Sequence, residues 1–448
     1  MSSLYTKLVS CAIFPLHECL KGHTTVADMR SLEQSQWWSK DEILALQSQR
    51  LQKLIRSVNQ NVPYYAELLE SQNIDPAEIK SAEDLKKLPF LNKALIRANS
   101  DKLRARNAKH LSRFNTGGSS GEPLIFYIGK ERVSRDVAAK WRATRWWDVD
   151  LGDKEIVLWG SPIELGTQDY VRLIRDKLLR TRLLPAFEMS EAKIDSFIQE
   201  IKKVKPQMLF GYPSAFSLIA KRAKDTNILL NGLGTKVVFV TSERLYDHQR
   251  ELLENTFGCP IANGYGGRDA GFIAHQCPQG NMHITAEDII VEIVDPAGNV
   301  LPPGNSGEIV TTHLATQDYP FIRYRTGDIG VLEERNCSCG RGLPILKEIQ
   351  GRSTDFIVAA DGTLMHGLAL IYILRDIQSV LEFKIIQESK QLTRVQLVVN
   401  SNFSEFDEKQ IISGFKKRLG DGVNIVIERV DKIAAEASGK MRYVVSRI

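Results

Sequence analysis

Several segments of this 448-residue chain set glycines beside residue types that handle anions. RFNTGGSSGEPLIF (113–126) gathers three glycines and three hydroxyls ahead of an apolar, strand-like run. Glycine lets backbone N–H groups approach an anion closely, and hydroxyls add donors. Thr116, Gly117, Gly118, Ser119, Ser120 and Gly121 therefore suit a polyphosphate. The loop lacks the Gly-Lys-Ser/Thr ending of a Walker loop and the G-x-G-x-x-G spacing of a dinucleotide site. By composition alone, a plain turn between helix and strand fits it equally.

Four later segments add chemistry. NGYGGRDAG (263–271) follows an apolar run and places Tyr265 and Gly266 ahead of a carboxylate, Asp269. FIRYRTGDIG (321–330) puts Asp328 in a tight turn, QGRSTDFIV (350–358) carries Arg352, and EASGKMRYV (436–444) sets Lys440 on a glycine turn. A lone lysine there reads equally as a solvated tail residue. HQCPQGNMH (275–283) and NCSCG (336–340) supply Cys277, His283, Cys337 and Cys339, in two halves about fifty residues apart. Thiolate and imidazole are zinc ligands, and four protein ligands would make a closed, structural site, with His275 in reserve. The C-x-C spacing is less usual than C-x-x-C, and two ordinary thiol pairs in a reducing cytosol fit as well. Cys11, Cys19 and Cys259 read as buried or partly buried small residues.

The elements that must hold these residues follow from periodicity. The length allows two or three domains. A 43% hydrophobic and 25% charged composition is ordinary for a globular chain. A net charge of +5 gives no warrant for a nucleic-acid or membrane-surface role. The apolar opening, MSSLYTKLVSCAIFPLHECLKG, is broken by Lys7, Pro15, His17 and Glu18, too often for a membrane span. It reads as an amphipathic helix docked on its own domain, in a cytoplasmic protein, with loose membrane association as the alternative. Ser39 and Glu42 form a capping box before Ile43, Leu44, Leu46, Leu51, Leu54, Ile55 and Val58 at helical spacing, and NVPYY ends that helix. A further helix is predicted over 131–147.

Beyond that point EIVLWG, QMLFGY and KVVFVTS alternate with amphipathic helices, which predicts parallel strands with helical crossovers. From 284 to 335, DIIVEIVD, GEIVTTHL and IGVLEE predict an antiparallel region with tight turns. From about 352, strands at FKIIQE, TRVQLVVN and VNIVIERV with a helix at SEFDEKQIISGFKKRL predict a small α+β domain.

From SQWWSKDEILALQ and NVPYY to SGKMRYVVS, these motifs in order resemble the ATP-dependent adenylate-forming enzymes over nearly the whole chain. The chain looks most like their phenylacetate–CoA ligase-like group, in the branch found with capsule-polysaccharide genes. The resemblance implies an α/β fold: a large adenylating domain, 1–351, of mixed α/β sheets plus a β region, and a small mobile α+β lid, 352–448. It implies that residues 116–121 grip the ATP phosphates, that Tyr265 packs on adenine beside Gly266, and that Asp328 takes the ribose hydroxyls. It implies Asp269 as the Mg²⁺ carboxylate, Arg352 near the ribose and phosphates, and Lys440 as the catalytic lysine. A cation between an attacking carboxylate and an α-phosphate favours the transition state, where two anions meet. Several relatives carry a cysteine–histidine zinc site.

Departures accompany the likeness. Glu122 stands where the family loop usually has lysine, Asp269 is one methylene shorter than the usual glutamate, and Thr354 replaces the first hinge aspartate. AADGTLMHG is not the glycine-rich stretch that approaches CoA in full ligases. Tyr212, Pro213, Ser214, Phe216 and Ser242 match segments that line the acyl pocket, and each reads equally as packing. The expected substrate is a small carboxylic acid, and the acceptor is CoA, a carrier-protein thiol, or a sugar amine or hydroxyl. The expectation is adenylation serving a surface polysaccharide. The alternatives are an aryl-CoA ligase of the phenylacetate type and a non-catalytic nucleotide-binding scaffold.

Overall fold

The computed structural model describes residues 3–115, 124–159, 170–186, 188–243, 245–350, 356–433 and 444–448. Thr116, Gly117, Gly118, Ser119, Ser120, Gly121, Arg352 and Lys440 lie outside the described residues.

The capping box forms. Ser39 Oγ accepts the Glu42 N–H at 3.3 Å and Glu42 Oε2 accepts the Ser39 N–H at 2.8 Å, opening the helix Lys40–Asn61. Ile43, Leu51, Leu54, Ile55 and Val58 are buried, but Leu44 faces solvent. Gln47 is buried in its neighbourhood because its Nε2 donates to the Ala286 carbonyl at 2.7 Å. Pro63 then starts the helix Pro63–Ser71 at the position where a missing N–H costs nothing.

Among the described residues one sheet of eleven strands runs through the large region. Thr181–Pro185, Glu155–Trp159, Met208–Gly211, Val237–Thr241 and Ile261–Gly267 are parallel neighbours in that order. Helices Glu191–Val204, Pro213–Asp225 and Asp247–Phe257 pack on them over a core that includes Ile198, Phe216, Ile219, Val238 and Val240. The predicted antiparallel region is not a separate sheet. Ile261–Gly267 pairs antiparallel with Gly271–Gln276, and the ladder continues through Met282–Ile284, Ile345–Gln350, Tyr324–Glu333 and Ser306–His313 to Ile289–Val294. An open strand edge demands partners, and here a tight return at 268–270 fills it with the chain's own next strand.

Gly211 shows how closely the parallel strands approach. A Cβ there would lie 2.1 Å from the Leu158 carbonyl oxygen. Gly211→Ala is expected to lower stability by about 2 kcal/mol or more, read as a drop in Tm.

The large region's helices are tied to the sheet by buried charge. Arg142 on helix Lys130–Arg145 reaches Glu287 at 2.6 Å, and Ser35 Oγ donates to the same carboxylate oxygen at 2.8 Å. Beside them Arg50 meets Asp288 at 2.5 Å, and Arg135 meets Asp28 at 3.2 Å.

In the C-terminal region Val380–Ser389 and Leu392–Val399 pair antiparallel. Asn424–Arg429 and Val444–Ser446 add parallel on either side, and helices Leu368–Arg375 and Glu405–Leu419 complete the layer. Phe383, Ile385, Leu397, Phe415 and Val444 share one core, as the α+β pattern predicts. The fully buried Gln387 takes the Val358 N–H on Oε1 and donates from Nε2 to the Val358 carbonyl, so an amide side chain stands in for a strand partner. A three-stranded sheet of Phe356–Val358, Leu364–His366 and Glu188–Met189 joins this region to the large one.

Candidate active site and metal cluster

Ligands in open α/β sheets bind beyond the carboxyl ends of the parallel strands. Tyr265 stands near that end of Ile261–Gly267, and Asp269 sits in the turn where the sheet changes from parallel to antiparallel. Tyr265 Oη donates to Asp328 Oδ2 at 3.0 Å, and Tyr324 Oη donates to Asp269 Oδ2 at 2.6 Å. Two phenols thus orient two carboxylates. Burial, and then the Asp328 charge, raise the Tyr265 phenol well above its usual range, so it stays a donor at neutral pH. Gly266 has a reason within the fold: a Cβ there would strike the Gly271 carbonyl oxygen at 2.3 Å.

The turn is braced from beneath by residues that the motifs did not reveal. Arg132, 1% exposed, donates to the Arg268 carbonyl at 2.8 Å. Asp136 lies 3.4 Å from both Arg132 Nε and His313 Nε2. Burial pushes the Asp136 carboxyl up, but the His313 hydrogen bond and the Arg132 charge outweigh it, and it ends below the usual range. Gly271, at φ +85°, lets His313 pass close, since a Cβ there would sit 2.7 Å from the ring. No local pattern could show this brace, because Arg132 and Arg268 are 136 residues apart in sequence. Tyr324 was within reach, four residues ahead of Asp328 in YRTGD.

The acyl-pocket candidates divide. Tyr212 stacks on Trp159 at 4.7 Å, just past strand Met208–Gly211. Pro213 opens the next helix, and the Ser214 N–H donates to Glu243 Oε2 at 3.3 Å, tying two strand ends together. The Ser214 hydroxyl is buried with no hydrogen-bond partner among the described residues. Ser242 follows Val237–Thr241 in the left-handed region, at φ 72°, a conformation that costs a non-glycine residue energy and gathers at functional sites. Phe216 is fully buried, edge-on to Phe257, and packs the core.

Cys277, His283, Cys337 and Cys339 come together, their ligand atoms all within 4.8 Å of one another. Cys277 and Cys337 sulfurs are 3.7 Å apart, and Cys339 Sγ is 3.2 Å from His283 Nε2. Two sulfurs on a tetrahedral zinc with bonds of about 2.3 Å stand ~3.8 Å apart, so the donor set and spacing fit that ion. The Leu343 carbonyl, 3.1 Å from His283 Nδ1, accepts its proton and leaves Nε2 as the ligand nitrogen. Burial lowers the His283 pKa to about 4, which keeps the ring neutral. Asn281 Nδ2 donates to Cys337 Sγ at 3.1 Å. Next to the cluster Arg341 stacks between Trp37 and Trp146. His275 does not join the set; it packs between Phe272 and Phe239. Cys259 is buried as expected, but Cys11 and Cys19 are exposed, because the helix turns that side outward.

Two families match parts of the chain. One, described as AMP-binding enzyme, covers residues 181–315, and one, described as CapK C-terminal domain, covers residues 357–447. The chain is 26% identical over 424 residues to Protein CapK of Staphylococcus aureus, spanning 91% of this chain and 90% of that protein. It is 24% identical over 333 residues to Phenylacetate-coenzyme A ligase of Thermus thermophilus, spanning 71% and 72%. The crystal structure of 2-hydroxyisobutyryl-CoA ligase in complex with 2-HIB-AMP and CoA shares the fold, with a TM-score of 0.65 at 21% identity over 91% of this chain and 90% of that one. Together these matches support an adenylate-forming ligase of the phenylacetate–CoA ligase-like, CapK type.

Proposed function

We propose that the protein activates a small carboxylic acid with ATP to an acyl-adenylate, releasing pyrophosphate, and passes the acyl group to a thiol or other acceptor in surface-polysaccharide biosynthesis. The Tyr265–Asp328 and Tyr324–Asp269 pairs beyond the parallel strands are the observation that carries this reading. Asp328 offers a fixed carboxylate for ribose hydroxyls, and Tyr265 a flat ring for adenine. Asp269 offers an oriented oxygen for Mg²⁺, which when bound neutralises polyphosphate charge. The phosphate grip of residues 116–121 and the roles of Arg352 and Lys440 enter through the family resemblance. Residues 1–351 then form the adenylating domain and 352–448 the lid.

CoA is the first acceptor to test, since a ligase of the same fold is known in complex with acyl-AMP and CoA. A second reading, an aryl-CoA ligase, rests on four phenylacetate-CoA ligases at 24–27% identity. They span 71–74% of this chain, against 91% for CapK, and this favours the first reading. ATP–pyrophosphate exchange over a panel of aryl, acyl, hydroxy and amino acids tests both. Exchange with one acid names the substrate, and thioester formation on adding CoA names the acceptor. Exchange with none, despite ATP binding, would overturn the adenylation reading.

Cys277, His283, Cys337 and Cys339 would hold a structural zinc, stapling the strands after Asp269 to the loop at 336–340. One zinc per chain is expected by elemental analysis. Cys337→Ser is expected to lose it and to lower Tm by about 5–10 °C. Unchanged metal content and Tm in that variant would exclude the site.

A further inference from the structure

The helical segment 4–21 docks by one face only. Val9 and Phe14 are buried with Met29, Leu32 and Trp141, while Leu4, Leu8, Leu16 and Leu20 point to solvent, 88%, 52%, 62% and 81% exposed. The four-residue spacing of 4, 8, 12, 16 and 20 would drift about 40° per step round a regular α-helix. The wider π-turn Val9–Ile13 offsets that drift in mid-row, just before Pro15, which has no N–H to give. Ala12, Cys11 and Cys19 lie on the same outer face. The outward stripe is therefore apolar along its length.

A second helix extends it. Tyr170–Leu178 lies against the first, with Tyr5 Oη donating to the Leu178 carbonyl at 2.9 Å and Arg180 stacked over the Tyr5 ring at 3.9 Å. Leu173, Ile174 and Leu178 of this helix are 49%, 59% and 42% exposed. Large aliphatic side chains left outside on two adjoining helices mark a surface that meets something apolar.

The flanking charge says what that is. Lys7, Lys21 and Lys177 are exposed on these two helices. The carboxylates are neutralised or turned in: Glu18 is buried against His17, His23 and Thr25, and Asp176 is paired with Arg175. An apolar stripe edged by lysines, with no free carboxylate among its described residues, is complementary to an anionic bilayer surface. No helix among the described residues is long and apolar enough to cross a membrane, so the contact is in the plane of the interface. We propose that segment 4–21 and helix Tyr170–Leu178 together form a peripheral docking face for anionic lipid membranes.

Co-sedimentation of the full chain with phosphatidylglycerol/phosphatidylethanolamine vesicles, and with phosphatidylcholine vesicles, tests this. Wild type is expected to bind the anionic vesicles, and about tenfold more weakly when they are neutral or the salt is high. The triple variant Leu8→Glu, Leu16→Glu, Leu20→Glu is expected to lose at least about a hundredfold in partitioning. It should keep a Tm within a few degrees of wild type, since these side chains are 52–81% exposed. Lys177→Glu should weaken only the anionic binding. The proposal fails if wild type ignores anionic vesicles, or if the triple variant binds them equally well. It also fails if light scattering shows a dimer that the triple variant dissolves while vesicles leave it intact, because the stripe then faces a second copy.

Discussion

Asp269→Asn is expected to slow acid-dependent ATP–pyrophosphate exchange by about 10²–10³-fold, with Tm unchanged. The substitution keeps size and shape and removes the charge that the proposed Mg²⁺ role needs. Asp269 is partly exposed, and an asparagine there keeps a hydrogen-bonding side chain toward Tyr324 Oη at 2.6 Å and the Ala270 N–H at 3.2 Å. Little stability therefore rests on the charge. Tyr324→Phe separates orientation from charge. It leaves the carboxylate but frees it to rotate, and a loss of about tenfold in kcat is expected. A rate within twofold of wild type for Asp269→Asn would remove Asp269 from the chemistry and leave it a turn residue.

Arg142→Ala is expected to destabilise the protein by about 3–5 kcal/mol. Arg142 is 1% exposed and Glu287 is fully buried, so the truncation strands a carboxylate without its cation. Nε and Nη2 of Arg142 and Oε2 of Glu287 have no hydrogen-bond partner among the described residues, so even the intact pair is incompletely satisfied. Replacing both members, Arg142→Met with Glu287→Leu, should therefore recover most of the loss. Urea unfolding followed by tryptophan fluorescence reads all four corners of the cycle. Simple additivity of the two single changes would show that the charges act independently and that packing alone explains the cost.

Much of this arrangement was legible in the sequence. Strands Glu155–Trp159, Met208–Gly211 and Val237–Thr241 stand where apolar runs alternate with amphipathic helices, and that alternation is a local signal. Cys277, His283, Cys337 and Cys339 converge because each half is a tight turn, and turn chemistry is also local. What escaped depends on partners far along the chain. Leu44 has the spacing of a core residue, yet Gln47 was buried near it by a carbonyl 239 residues away. The brace of Arg132, Asp136 and His313 carries no motif of its own. Helix Leu368–Arg375 was missed because LALIYILR is short and almost wholly apolar, so it reads equally as a buried strand; Leu370, Ile371 and Leu374 sit within the C-terminal core. Segment 4–21 docks on its own domain through Val9 and Phe14 as its pattern predicts, but hydrophobic spacing did not show that Leu4, Leu8, Leu16 and Leu20 stay outside.

The two-rung pairing of Leu364 and Met365 with Met189 and Glu188 has a mechanical meaning. Any rotation that carries the C-terminal region away from the parallel strands must unzip this ladder first. Its net worth is roughly 1–2 kcal/mol, enough to weight the latched arrangement about tenfold over a released one and little enough for thermal motion to open it. Met189 belongs to the core of the parallel strands and Met365 to the C-terminal core, so each side of the seam ends in an unbranched, deformable side chain. Such a seam can part and reseat without a matching cavity on either face.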